Sequence, residues 1–140
     1  MSDDFPTEVQ TTVGPVLADL GFRLDEIDDN VDEGGRRGSV VYYRSKDCKI
    51  QVYQSAREGS VNCMIAPLDV PNEFGTRSQS KKWQYLGRFA KRPDLPLEEL
   101  AQFARAEYES YATPLVWVKG QIVRNYEAAH VGILQMYSGT

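Results

Sequence analysis

The chain has 140 residues and a formal net charge of −4, with 41% hydrophobic and 26% charged residues. This length suffices for one domain with a hydrophobic core and is too short for two comfortable ones, so we expect a single domain over residues 1–140. The composition is that of an ordinary globular protein, which excludes a low-complexity chain, and two cysteines exclude a disulfide framework.

The sequence gives no sign of export or of membrane insertion. No apolar run is long enough to span a bilayer, and the first residues are acidic where a secretory signal would be apolar. We therefore expect a cytoplasmic protein without membrane contact, in which Cys48 and Cys63 stay reduced.

Charge is unevenly distributed along the chain. Residues 1–33 hold ten acids and one base, whereas residues 34–92 hold twelve bases and four acids. Such segregation can mark an interaction surface. The alternative is that the oppositely charged parts neutralise each other in the fold.

The first predicted helix covers Thr7–Leu20. Its apolar residues recur at helical spacing and form one face: Val9, Val13, Val16, Leu17 and Leu20. Gly21 fits the C-terminal cap. Pro15 would remove a backbone hydrogen bond inside this helix, which predicts a kink or a late start near Gly14.

Residues 22–38 are predicted to form a short strand and a loop. Phe22–Ile27 alternates apolar and polar side chains, and residues 28–38 carry three glycines without an apolar period. The loop would be the tip of a long hairpin. Arg36 and Arg37 among these glycines could bind an anion together with backbone amides, although a solvated hairpin tip is the simpler interpretation.

The central part of the chain predicts an antiparallel meander. Its three β-rich runs are Val40–Arg44, Cys48–Ser55 and Ser60–Ala66. Cys48, Ile50 and Val52 share one face, which is the first choice for the core. The register stays open, because a three-residue loop would pair Val52 with Met64 and a two-residue loop would pair it with Ile65.

The stretch 77–92 mixes bases with aromatics. Pro67–Gln79 has the composition of a loop, and Lys81–Lys91 is compatible with a short helix or turn, which we favour, or with a strand. The candidate binding residues here are Arg77, Lys81, Lys82, Trp83 and Arg88, which could bind nucleic acid through phosphates and stacked bases. No RNA- or DNA-binding signature accompanies them, so we favour a core role for Trp83 over nucleic-acid binding.

Two helices are predicted near the C-terminus. The first covers Pro96–Tyr111, with the stripe Leu97, Leu100, Ala101, Ala104, Tyr108 and Tyr111. The second begins at Thr113-Pro114, an N-cap followed by a proline. Its predicted inward positions are Leu115, Val118, Ile122, Asn125 or Tyr126, Ala129 and Ile133.

No motif in the sequence carries chemistry. His130 is the single histidine, and a zinc site needs about four ligands where Cys48, Cys63 and His130 would supply three. Both cysteines lie among apolar residues of predicted strands, where cysteine is usually a small buried hydrophobe. We therefore predict buried thiols, a structural or surface histidine, and no catalytic residue, metal or cofactor.

These elements predict an α+β domain. An N-terminal helix, a meander of three to four strands and two C-terminal helices would pack together, with the helices on one face of the sheet. The outline, with Leu20-Gly21-Phe22 leading from helix to strand, resembles that of small bacterial proteins that include immunity proteins, which neutralise partner toxins. The resemblance implies protein binding and assigns no residue a role.

Three functions are compatible with this outline. We expect a non-catalytic protein-binding module, an inhibitor or immunity-type protein, that uses its charge-segregated surface on a protein partner. The first alternative is a small-molecule or anion binder or enzyme that uses the concave sheet face, with Tyr42, Tyr43, Arg44, Tyr53 and His130 as pocket residues. The second is nucleic-acid binding through residues 77–92, and a homodimer is compatible with all three.

Overall fold

The computed structural model describes residues 5–32, 37–55, 60–75, 80–89, 96–109 and 113–137. Its helices are α1 (Phe5–Thr12), α2 (Gly14–Asp19), α3 (Leu97–Glu109) and α4 (Pro114–Met136), and its strands are β1 (Arg23–Asp32), β2 (Arg37–Arg44), β3 (Cys48–Ser55), β4 (Ser60–Pro67) and β5 (Gln84–Tyr85). The strands form one antiparallel sheet in the order β1-β2-β3-β4-β5. The predicted α+β class is confirmed, with a sheet one strand larger than expected.

Pro15 divides the N-terminal helix into α1 and α2, as the missing backbone donor predicts. The helical path nevertheless continues across the break, because Val13 N donates to Val9 O at 2.8 Å and Leu17 N donates to Val13 O at 3.2 Å. Val9, Val13 and Leu17 are all fully buried. The two short helices thus present one continuous apolar stripe to the sheet.

Gly21 ends α2 in the predicted way. Its φ of +92° is open to glycine at little cost and strained for other residues. Gly21 N donates to Ala18 O at 3.0 Å and Phe22 N donates to Leu17 O at 2.8 Å, the pair of bonds that closes a helix through a left-handed residue. The chain therefore turns sharply and enters β1.

Strand β1 is longer than its side-chain pattern predicts. It continues to Asp32, whereas the sequence placed residues from Asp28 onward in a loop. Two register shifts, between Leu24 and Glu26 and between Asp28 and Val31, let it stay paired with β2. Backbone pairing at an exposed sheet edge tolerates acidic side chains, so side-chain polarity alone did not predict where the strand ends. The hairpin tip at residues 33–36 lies outside the described residues.

The β3–β4 pairing corrects both predicted registers. Val52 lies opposite Cys63, and the last pair is Ser55 with Ser60. Four residues, 56–59, therefore connect the strands, and they lie outside the described residues. Directly opposed residues share a face, so Cys63 joins Cys48, Ile50 and Val52 on the predicted core face, where all four are buried.

Helix α4 covers this face as predicted. Thr113 caps it, because its Oγ1 accepts a hydrogen bond from Val116 N at 3.2 Å. Five of its predicted inward positions are buried: Leu115, Val118, Ile122, Ala129 and Ile133. The two alternatives for the remaining position, Asn125 and Tyr126, are both half-buried. We call this face, with α1, α2 and α4, the helix side of the sheet.

Helix α3 contributes little burial. Leu97 and Ala101 of its predicted stripe are exposed and Leu100 is half-buried. Ala104, Tyr108 and Tyr111 lie outside the described side chains. The prediction of helices packed on one face therefore holds for α4, while the described part of α3 presents mainly solvated side chains.

The opposite face of the sheet carries a second core that the sequence did not predict. Its buried members are Val31, Val40, Tyr42, Tyr53, Met64, Ala66, Val70 and Trp83. The non-helical segment around residues 68–75 and the start of the 80–89 segment cover them, so we call this face the loop side. For Lys81–Lys91 the sequence allowed a short helix or turn, or a strand. The structure has both, a two-residue strand at Gln84–Tyr85 followed by a 3-10 helix at Leu86–Phe89.

Gln51 holds the loop-side cover in place. Its fully buried amide donates from Nε2 to Glu73 O at 2.7 Å and accepts at Oε1 from Gly75 N at 2.8 Å. Gly75 has a φ of +47°, and a Cβ there would press on the Tyr53 ring. One side chain therefore satisfies two backbone groups of a segment without regular structure.

No helix in the described ranges combines the length and the apolar character needed to cross a bilayer.

We predict that Gln51→Leu destabilises the protein more than Gln54→Leu on the same strand. The first change leaves Glu73 O and Gly75 N without their partner, which should cost about 2–4 kcal/mol. Gln54 is exposed, so its change should stay within about 0.5 kcal/mol. Urea unfolding measures both, and equal effects would contradict the described role of Gln51.

Candidate functional site

Polar and titratable side chains meet where the β2–β3 turn contacts α4. We call this group the junction cluster; its members are Ser45, Asp47, Cys48, Tyr126 and His130. The first three come from the turn and the start of β3, and the last two lie one helical turn apart on α4. The cluster lies on the helix side, at the end of the sheet where β3 begins.

Hydrogen bonds within the turn hold the side chains of Asp47 and Cys48 close to α4. Ser45 N donates to Cys48 O at 2.8 Å, and Ser45 Oγ lies 3.4 Å from both Asp47 Oδ1 and Cys48 Sγ. Leu68 N donates to Asp47 O at 3.2 Å, which fastens the turn to the exit of β4. The backbone is thus held from both sides.

His130 contacts the Asp47 carboxylate across the junction between α4 and the turn. Its Nε2 lies 3.0 Å from both carboxylate oxygens, with the two side chains 28% and 33% exposed respectively. Partial burial raises the pKa of Asp47, but the hydrogen bond and charge of His130 outweigh it and leave that pKa below its ordinary value. The carboxylate is therefore charged at neutral pH and accepts a hydrogen bond from the imidazole.

Tyr126 contacts both Cys48 and His130. Its ring stacks on the imidazole with centroids 5.3 Å apart, and its hydroxyl interacts electrostatically with the nearby Cys48 thiol. Phe22 packs edge-on against the other side of the ring at 5.6 Å. Burial and the neighbouring Cys48 raise the pKa of Tyr126, so it remains a donor.

Neither thiol is activated as a nucleophile. Burial raises the pKa of Cys48 to about 11 and that of Cys63 to about 12, so both are protonated at neutral pH. The arrangement supports the predicted buried thiols.

The sequence did not predict that Ser45, Asp47 and Tyr126 lie next to Cys48 and His130. The spacing of Tyr126 and His130 places them on one helix face, which the sequence could have shown. The contact with Asp47 joins positions 83 residues apart and arises only when α4 packs across the sheet. Cys63 stays apart, because it pairs with Val52, four residues along β3 from Cys48.

The predicted binding residues are only partly described by the structure. Arg36 and Arg77 lie outside the described residues, and Arg37, Lys81 and Arg88 are exposed. Lys82 Nζ lies 5.7 Å from the centre of the Tyr137 ring, and Arg88 Nη1 donates to Gln84 Oε1.

Trp83 is a core residue. It is 3% exposed, and its Nε1 donates to Pro71 O at 3.0 Å. Its ring packs against Tyr42, with the two centroids 6.0 Å apart. The indole is therefore closed to stacking with a nucleobase.

The tyrosines of the predicted concave pocket lie on opposite faces of the sheet. Tyr42 and Tyr53 belong to the loop-side core, whereas Tyr43 belongs to the helix-side core. His130 faces the turn on the helix side. These side chains therefore line no common cavity.

Strand β1 forms a second candidate surface, which we call the acidic edge; it comprises Leu24, Asp25, Glu26, Ile27 and Asp28. All five are exposed. Leu24 and Ile27 lie opposite Tyr43 and Val41, on the helix side.

The carboxylates of the acidic edge belong to the other face. Glu26 and Asp28 lie opposite Tyr42 and Val40, on the loop side. Burial, and after it the charges of Glu26, Asp28 and Glu73, raise the pKa of Tyr42. Asn72 Nδ2 donates to Asp25 at 3.1 Å and to Glu26 at 2.8 Å, which orients two of the acids.

We predict that neither thiol reacts with a disulfide reagent in the native protein at pH 8. Both sulfurs are buried and protonated, so labelling should proceed only as fast as the protein opens. Both should react at once in denaturant. Rapid native labelling of Cys48 would contradict the described burial.

We predict a modest coupling between Asp47 and His130. A double-mutant cycle of Asp47→Asn and His130→Gln should give about 0.5–1 kcal/mol near neutral pH, because the pair is partly solvated. Because the pKa of Asp47 is lowered, its carboxylate stays charged, and the coupling persists, as the pH falls to the ordinary carboxyl range. Below that range the carboxylate becomes protonated and the coupling is lost. A zero coupling energy would show that the pair does not join turn and helix.

Comparison of the chain with protein-family models, curated proteins and solved structures gives no match. Function is therefore inferred from the two features described above. The acidic edge offers a surface, and the junction cluster offers a set of converging side chains.

Proposed function

We propose that this chain is a non-catalytic protein-binding module whose acidic edge accepts an extended basic segment of a partner protein. An inhibitor or immunity-type role fits such a module. The observation that supports this most strongly is the exposure of large apolar side chains on an edge strand, with Leu24 45% and Ile27 41% exposed.

The outer edge of β1 can accept another strand. The strand has ten residues and pairs with β2 on one side, and no described strand pairs with its other side. The opposite edge of the sheet is formed by β5, which has only two residues. Strand addition uses the backbone donors and acceptors of such an edge, while side-chain pockets supply specificity.

The side chains of the acidic edge define the chemistry of the partner. An added strand would lie beside Leu24 and Ile27 on the helix side and beside Glu26 and Asp28 on the loop side. Its side chains alternate between these faces. A segment that alternates apolar with lysine or arginine residues would therefore match both faces.

Electrostatics favour a basic partner over a second copy of the chain. Two β1 strands paired with each other would place carboxylates near carboxylates, and like charges across a strand pair are destabilising. Acidic side chains and register shifts are also devices that protect sheet edges from aggregation. The acidic side chains would favour a partner of opposite charge.

The first experiment locates the contact. A photo-crosslinking residue at Ile27 should capture a partner from the native source, whereas the same residue at exposed Glu8 on α1 should not. Equal capture at both positions would argue against the acidic edge.

The second experiment measures association of the captured partner. Glu26→Lys with Asp28→Lys should slow association about tenfold or more at low salt, because charge steering accelerates encounter. Glu98→Lys with Glu99→Lys on α3 changes the net charge equally and should have a small effect. The difference should shrink at high salt. Equal slowing by both pairs would contradict the proposal.

A further inference from the structure

We propose that Asp47, Cys48 and His130 form a three-ligand binding site for a divalent transition metal of the zinc and cobalt class. The carboxylate, the sulfur and a ring nitrogen converge from the β2–β3 turn and from α4. This inference is independent of the proposed partner at the acidic edge.

The spacing of the three ligand atoms suits a tetrahedral ion. All three lie within 4.8 Å of one another, and His130 Nε2 is 3.0 Å from the Asp47 oxygens. Bonds of about 2.0–2.3 Å to a tetrahedral zinc ion separate neighbouring ligand atoms by roughly 3.3–3.8 Å. Side-chain movements of about an ångström would therefore complete the site.

The donor set selects the class of metal. Sulfur and imidazole ligands favour zinc, cobalt and related ions over magnesium and calcium, which prefer oxygen. A thiolate and a carboxylate would together neutralise a divalent cation. Charge neutrality matters here because Cys48 is fully buried, where an uncompensated charge is costly.

The surrounding residues already orient the ligands. Tyr126 stacks on His130, and Ser45 Oγ lies 3.4 Å from both Cys48 Sγ and Asp47 Oδ1. Such partners around the ligands tune affinity in metal sites. The partial exposure of Asp47 and His130 leaves a side open for entry and for a water ligand.

Metal binding requires proton movements that the site can make. The Cys48 thiol would release its proton to solvent as its sulfur binds the cation. The imidazole would present the Nε2 lone pair and carry its proton on Nδ1, and an imidazolium would release one further proton. No oxidation or reduction is involved.

Cobalt titration of the tag-free full chain tests the site. We expect one equivalent of Co²⁺ to give a thiolate-to-cobalt charge-transfer band that Zn²⁺ displaces. Cys48→Ser and His130→Gln should remove the band. Cys63→Ser is the matched control and should retain the band, because Cys63 is a buried thiol outside the cluster.

Circular dichroism and thermal unfolding accompany each variant. If Cys48→Ser fails to fold, loss of the cobalt band in His130→Gln tests the site, because His130 is partly exposed and its replacement should leave the fold intact. Absence of the band for the wild type at millimolar cobalt would overturn the proposal, as would its loss in Cys63→Ser. Glu26→Lys with Asp28→Lys should bind cobalt like the wild type, which separates this site from the acidic edge.

Discussion

Burial of β3 on both of its faces is the constraint on which the rest of this structure depends. Ile50 and Val52 are fully buried on the helix side, and Gln51 and Tyr53 are buried on the loop side. A central strand of this kind needs cover from two directions. Helices α1, α2 and α4 supply one cover, and a segment without regular structure, held by Gln51, supplies the other.

Both candidate functional features follow from that arrangement. Helix α4 crosses the helix side and brings His130 onto the turn that leads into β3, so the junction cluster forms where the cover meets the sheet. Strand β1 lies at the far edge, where Leu24 and Ile27 remain partly exposed. The site that could bind an ion and the surface that could bind a partner are thus separate parts of one sheet.

The sequence predicted what depends on neighbouring residues. The helix periodicity of the first and last helices, the Thr113 cap and the Gly21 ending are local, and the structure confirms them. The described residues of the predicted α3 stripe, in contrast, are mainly exposed. The β3–β4 register was wrong because it depends on loop length, which composition does not determine. The loop-side core was not predicted, because its cover is an irregular segment without a periodic signal. The contact between Asp47 and His130 depends on tertiary packing alone.

Native-state hydrogen exchange would show whether β3 is covered on both of its faces. We expect β3 amides to exchange only through global unfolding, β1 amides paired with β2 to be protected, and β1 amides on the outer edge to exchange rapidly. Slow exchange along both edges of β1 would show that this edge is covered. Rapid exchange of β3 amides would show that the loop-side cover does not hold, and would contradict the account.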